Sequence, residues 1–302
     1  MIMSETWDKL ELSLGDLTLD ILPGIGGRLW DIKYKTHSVI FQNPDLIGKD
    51  FNLENLKSLP TRSPQFAFPL WGGEKTWIAP DKEWKNGSPY PMLDSGPYKI
   101  LKKNFNSIKL ASNICPITKL EVEREISLSN ENTFKIFHRL RNCGKSVVNA
   151  GIWSVLMLRH GCKIGLHAQP SQKHTNVFGN CEGFIKRNSD CVVFDCSRQQ
   201  EFKVGITNQT GLAFFHSKFD KKSIWLTCQT EPSLSQEAYS HGHNFEVFNS
   251  YDYPYCEAEW HSGTRAISPK ESITFSQTFQ ICDRFELLQE PKYNSEIFSC
   301  MS

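Results

Sequence analysis

The sequence predicts an all-β chain built as one large antiparallel β-sandwich, and three observations carry that expectation. Residues 120 to 140 alternate polar and apolar side chains on either side of a Ser129-Asn130-Glu131-Asn132 break, the period-2 signature of a half-buried hairpin. Turn-forming clusters recur between short apolar runs along the rest of the chain. Amphipathic helical spacing of useful length is missing throughout.

Taken in order, Leu17-Thr18-Leu19-Asp20-Ile21-Leu22 alternates and stops at Pro23-Gly24, and Arg28 to Tyr34 resumes after Gly26-Gly27. Two strands joined by a glycine-rich turn are expected there. Residues 41 to 66, rich in Asn, Asp, Pro, Lys and Ser, read as a long surface excursion over one end of the sheets. The hairpin at 120 to 140 is followed by an apolar strand from Val147 to Leu158. Comparable runs appear at Cys191 to Phe194, Gly211 to Phe215, Ile224 to Thr227, Phe245 to Phe248 and Ile273 to Ile281. Strands spread evenly, with no polar linker and no fixed-period repeat, favour a single sandwich over residues 1–302 rather than two tethered domains.

Composition narrows the function classes. With 39% hydrophobic and 22% charged residues the chain is of globular type, and 302 residues suffice for a sizeable core. Lys+Arg 34 against Asp+Glu 33 gives a net charge of +1, so no broad attraction to nucleic acid or to an anionic membrane is expected. No segment approaches the roughly 18 uninterrupted apolar residues of a spanning helix. The first residues, Met1 to Lys9, carry acids where a signal peptide has a basic region, which points to a cytoplasmic protein. The ten cysteines show no C-x-x-C pair or zinc-ligand spacing and read as reduced thiols, with disulfides a minor alternative.

Two segments carry site-like chemistry. From Phe68 to Pro80 the chain places Trp71 and Trp77, adjacent Gly72 and Gly73, and the Glu74-Lys75 pair between prolines. Indole faces stack on sugar-like surfaces, glycines allow close backbone approach, and the charged pair offers polar contacts. Core packing, a turn and a solvated ion pair explain the same residues without a ligand. Near the other end, Tyr255-Cys256-Glu257-Ala258-Glu259-Trp260-His261 puts Glu257 and Glu259 on one strand face. A carboxylate in a concave site is a natural general base; the plainer alternative is an edge strand with a wet polar face.

Together with Pro23-Gly24-Ile25-Gly26-Gly27-Arg28-Leu29 and Leu93-Asp94-Ser95-Gly96-Pro97-Tyr98, these segments occur in an order that resembles galactose mutarotase-like proteins, over about residues 10 to 282. The resemblance implies a large β-sandwich acting on carbohydrate without a cofactor. In aldose 1-epimerases of that superfamily a late-strand glutamate deprotonates the anomeric hydroxyl while a histidine protonates the ring oxygen. Carried over, it assigns the base to Glu257 or Glu259 and substrate contacts to Arg28, Trp71, Glu74, Lys75, Trp77 and Trp153. A salt bridge fixing a strand end accounts for Arg28 equally well.

The departures concern the acid. Trp153 stands where the family carries histidine, and Glu74-Lys75 stands where many relatives show a histidine-arginine pair. His160, downstream of the Trp153 strand, is the first substitute by position, followed by His167, His241 and His243. His241-Gly242-His243 sets two imidazoles on one turn, but no third ligand is spaced nearby, so no metal is expected. The leading expectation is an aldose 1-epimerase-like isomerase with a small-molecule carbohydrate as partner. Two alternatives stand beside it: a sugar-binding or regulatory protein that lost the acid, and a lyase or isomerase of acidic sugars gripping a carboxylate with Arg28 and Lys75.

Overall fold

The computed structural model describes residues 5–84, 87–169, 171–188, 190–219, 222–232, 234–235, 238–284 and 301. Cys300 lies outside them, and no disulfide joins the described cysteines. Strand accounts for 51% and helix for 6%, so the all-β expectation holds by a wide margin.

In chain order the strands are β1 (Leu10–Leu14), β2 (Leu17–Leu22), β3 (Arg28–Tyr34), β4 (His37–Ser38), β5 (Glu74–Ala79), β6 (Lys99–Lys103) and β7 (Ser107–Ala111). Then come β8 (Leu120–Asn130), β9 (Thr133–Asn142), β10 (Val148–Arg159), β11 (Cys162–His167), β12 (Thr175–Gly179), β13 (Ile185–Arg187) and β14 (Cys191–Cys196). The last third holds β15 (Phe202–Ile206), β16 (Leu212–Phe219), β17 (Lys222–Gln229), β18 (Phe245–Asn249), β19 (Tyr255–His261), β20 (Arg265–Ile267) and β21 (Ser272–Cys282). They form two antiparallel sheets packed face to face. The first runs β1-β2-β3-β5-β10-β19-β18-β15-β12, with β4 and β20 attached to β3 and β10. The second runs β13-β14-β11-β16-β17-β21-β9-β8-β7-β6.

The alternating run at 120 to 140 becomes the β8–β9 hairpin, with Val122 opposite Leu140 and Ile126 opposite Ile136. The glycine-rich turn after Leu22 joins β2 to β3 as expected. Side chains of one parity on both sheets meet in the main core, where Leu19, Ile32, Ile152, Leu156 and Ala258 pack against Ile126, Phe134, Ile136 and Phe279.

That core is not uniformly apolar. Arg124 on β8 and His138 on β9, opposite each other in register, occupy core-facing positions and are fully buried. Arg124 pairs with the Glu74 carboxylate and donates to the Gly27 carbonyl at 2.9 Å. Ser154 Oγ lies 3.1 Å from Glu74 Oε1 and 2.8 Å from Gln277 Oε1. His138 Nε2 lies 2.9 Å from Gln277 Oε1, and its Nδ1 lies 2.9 Å from Thr76 Oγ1. A neutral ring donating from Nε2 and accepting at Nδ1 satisfies both partners, and burial holds the His138 pKa down to about 4.

Candidate functional site

The other parity of β5, β10, β19 and β18 faces away from the second sheet and builds a separate aromatic layer. Trp77, Trp153, Val155, Met157, Phe248 and Tyr255 pack there, joined by Phe41, Leu70 and Tyr253. Register aligns the layer: Trp153 sits between Trp77 on β5 and His261 on β19, while Glu257 lies opposite Met157 on one side and Phe248 on the other. The excursion of residues 41 to 66 and its continuation lay Phe66 and Phe68 over this face. Between them remains a cleft of about 190 Å³, lined by Phe66, Phe68, Trp77, Trp84, Trp153, Phe178, Phe248 and Tyr255 and by the polar Asp81, Lys203 and Glu257.

Three tryptophans form one wall. Trp77 meets Trp153 edge-on at 5.2 Å and Trp84 edge-on at 5.3 Å, and Trp84 stacks on Trp153 at 5.3 Å. Trp77 Nε1 donates to Asp94 Oδ1 at 2.7 Å, which anchors the ring from behind. A larger hollow of about 640 Å³ lies elsewhere, lined by Ile78, Pro80, Tyr90, Ile117, Val148 and Thr264, and none of the expected catalytic residues reaches it.

Glu257 and Glu259 share a face as their spacing dictates, yet only Glu257 lines the cleft. It is 5% exposed and accepts from Lys75 Nζ at 3.1 Å, and that ammonium also sits 4.2 Å from the centre of the Trp77 ring. Burial lowers the Lys75 pKa, partly offset by Glu257. Glu259 is fully buried beneath Trp153, whose Nε1 donates to its Oε2 at 2.9 Å, and Lys203 Nζ reaches the same oxygen at 2.9 Å. Burial raises Glu259 to about 8, with Lys203 opposing and Glu246 reinforcing the shift.

Beside Glu259 lies a polar cluster. Glu246 on β18 contacts Lys203 Nζ at 2.8 Å, His241 Nδ1 at 2.8 Å and His243 Nε2 at 2.6 Å, with His261 Nε2 3.4 Å away. Burial opposes charge on Lys203, but Glu259 and Glu246 outweigh it and hold the ammonium well above its usual range. His241, also bonded to Asp81 Oδ1 at 3.1 Å, is raised to about 9 despite its burial, whereas burial lowers His261 to about 4.

Several expected contacts lie off the cleft. Arg28 is buried behind it, donating to the Gly72 carbonyl at 2.9 Å and to Asp94 Oδ1 at 2.9 Å. Trp71 is fully buried in a second cluster with Trp7 and Trp30, and its Nε1 donates to Ser95 Oγ. Glu74 has the wrong parity and faces the core, where it meets Arg124. Gly72 and Gly73 adopt φ of 102° and 79°, and a Cβ on Gly72 would collide with the Phe41 carbonyl oxygen. They admit neighbouring backbone, not a ligand. His160 follows β10, where its amide donates to the Pro254 carbonyl at 3.1 Å; it does not line the cleft, and burial lowers its pKa.

No family model and no curated protein matches the chain. Among solved structures it is similar to the Slr1438 protein of Synechocystis sp. PCC 6803, at 13% identity and TM-score 0.62, covering 94% of this chain and 99% of that one. A galactose mutarotase-like protein from Lactobacillus casei superposes with TM-score 0.56 at 11% identity, over 91% of this chain and all of its own (100%). The chain has the galactose mutarotase-like fold. A candidate aldose 1-epimerase from Escherichia coli K12 shares that fold with TM-score 0.55 at 12% identity, covering 92% and 99% of the two chains. At such identities the likeness extends to the fold and leaves the chemistry to the site.

Lys203, Asp81, Trp84, Phe66, Phe68 and Phe248 had escaped sequence reasoning. For Phe248 the signal was present, because alternation along β18 separates Glu246 and Phe248 from Phe245 and Val247. The others reach the cleft from an unread strand or from turns, where local pattern carries no tertiary destination.

Proposed function

We propose that the chain is a carbohydrate-binding protein that takes a single sugar ring into the tryptophan-walled cleft. The observation that carries this reading is the convergence of Trp77, Trp84 and Trp153 with Glu257, Lys203 and Asp81 around one cavity. Aromatic walls accept the C–H faces of a sugar, and charged groups give directional hydrogen bonds to its hydroxyls. A volume of about 190 Å³ falls below the roughly 300–1,000 Å³ of pockets for drug-sized ligands, which favours a monosaccharide over a longer glycan.

Binding is preferred to turnover because no histidine lines the cleft among the described residues. The ammonium that does, Lys203, is held well above its usual range between Glu246 and Glu259 and is a poor proton donor. Arg28 and Lys75, the cations an acidic-sugar enzyme would need, are already engaged by Asp94 and Glu257. Anomer interconversion is the second reading, favoured by the placement of Glu257 on the cleft wall in the role of general base.

Tryptophan fluorescence titrated with neutral, acidic and phosphorylated monosaccharides, paired with exchange NMR of their anomers, separates the two. Saturable quenching by one sugar without faster exchange is the expected result. Exchange accelerated by the wild type and lost in Glu257→Gln would establish the enzyme instead; no binding and no acceleration across the panel would overturn both.

A further inference from the structure

The His241-Gly242-His243 turn lacks a third ligand within its own stretch of sequence, but the fold supplies one. Glu246 projects from β18 and His261 from the end of β19, and the His261 amide donates to the Asn244 carbonyl at 3.0 Å, fastening the turn against β19. We infer that His241, Glu246 and His261 form a binding site for a divalent first-row transition metal, adjoining the aromatic cleft.

Geometry is the first support. One ligand atom from each residue falls within 4.8 Å of the others. The individual separations are 2.8 Å from His241 Nδ1 to Glu246 Oε1 and 3.4 Å from His261 Nε2 to Glu246 Oε2. Ligands about 2.0–2.1 Å from a tetrahedral zinc lie about 3.4 Å apart, so small side-chain rotations close the set.

The second support is independent. His261 is 3% exposed; its Nδ1 makes no hydrogen bond, and its Nε2 has only the long 3.4 Å contact with Glu246 Oε2. Leaving a buried polar group without a partner is unfavourable. Lys203 neutralises Glu246 but gives His261 nothing, because its contacts run to the two carboxylates. A metal on His261 uses the ring lone pair.

The surroundings fit as well. His241 Nε2 faces Asp81 Oδ1 at 3.1 Å, so its Nδ1 points inward, an arrangement that orients metal-ligating imidazoles. His243 Nε2 holds the same Glu246 oxygen, Oε1, at 2.6 Å. Two imidazoles and one carboxylate select zinc, cobalt or iron over calcium or magnesium, which prefer all-oxygen sets. The assignment stands apart from the carbohydrate reading, since none of the three residues lines the cleft.

The test is a cobalt(II) titration of the chelator-treated full chain, followed by zinc competition. Expected are weak visible d–d bands that saturate at one equivalent, are displaced by zinc, and lack the intense near-ultraviolet absorption of thiolate ligation. Affinity should fall at least about tenfold in His261→Ala and in His241→Ala. The half-buried His241 provides the safer variant should His261→Ala fail to fold. Absence of a one-equivalent site, thiolate bands from the cysteines, or unchanged affinity in His241→Ala would each overturn the assignment.

Discussion

Replacing Glu74 by Gln should destabilise the protein strongly while leaving the cleft intact, and the size of the effect follows from what Glu74 touches. Its carboxylate is the charged partner of Arg124, itself 0% exposed, and the remaining contacts of that guanidinium are the Gly27 and Glu74 carbonyls. Gln keeps the shape and can still meet Ser154, but it leaves a buried cation without its counter-charge. Breaking one side of such a pair costs about 3–5 kcal/mol, and the conservative replacement points to the lower end, about 3 kcal/mol. With a urea m-value of about 3 kcal/mol/M, the unfolding midpoint should drop by about 1 M. Removing both charges in Glu74→Gln with Arg124→Met should recover much of the loss, because an apolar isostere avoids the desolvation penalty. Urea unfolding of the wild type, the single variants and the double variant supplies the cycle. A midpoint shift in Glu74→Gln too small to resolve would refute the reasoning, as would a double variant no more stable than the singles.

Two further outcomes follow from buried groups. His138 is held neutral, with its pKa at about 4 against 6.5 for the free side chain; the unfolded chain therefore binds the extra proton between those values, and His138 makes stability fall as pH drops from 6.5 to 4. At about 1.4 kcal/mol per pH unit per proton, the full window amounts to about 3 kcal/mol. Urea midpoints for His138→Gln should show correspondingly less acid sensitivity than wild type, and parallel profiles would contradict this. Gly72→Ala combines a φ of 102° with a Cβ that would collide with the Phe41 carbonyl oxygen, so thermal unfolding should reveal a loss of about 2 kcal/mol or more; a neutral substitution would show that the turn relaxes freely.

Strand positions were legible wherever one face met the core and the other met water, as along β9, where Phe134, Ile136 and Leu140 alternate with more exposed residues. The parity of β5 was not. All six of its residues are buried, so nothing in the sequence distinguishes the core-facing Glu74 from Lys75 and Trp77 on the opposite face. β19 is buried along its whole length as well; there the shared face of Glu257 and Glu259 was readable from spacing alone, but not that one lines the cleft and the other lies beneath Trp153. Arg28 and Trp71 resemble ligand contacts by residue type, yet their partners Asp94 and Ser95 come from a distant segment and bind them behind the site. Lys203 was invisible because its role depends on β15 lying beside β18, a pairing set by topology.

The central claim is that a sugar ring sits against the tryptophan wall. Saturation-transfer NMR with a monosaccharide identified by the fluorescence panel tests it directly when wild type and Trp84→Ala are titrated side by side, because Trp84 lines the cleft and stacks on Trp153. Transfer should concentrate on the C–H protons of one ring face, and affinity should fall several-fold to about tenfold in Trp84→Ala, the equivalent of about 1 kcal/mol of aromatic contact. Equal affinity in the two proteins, with transfer spread evenly around the ring, would place the sugar elsewhere and contradict the account.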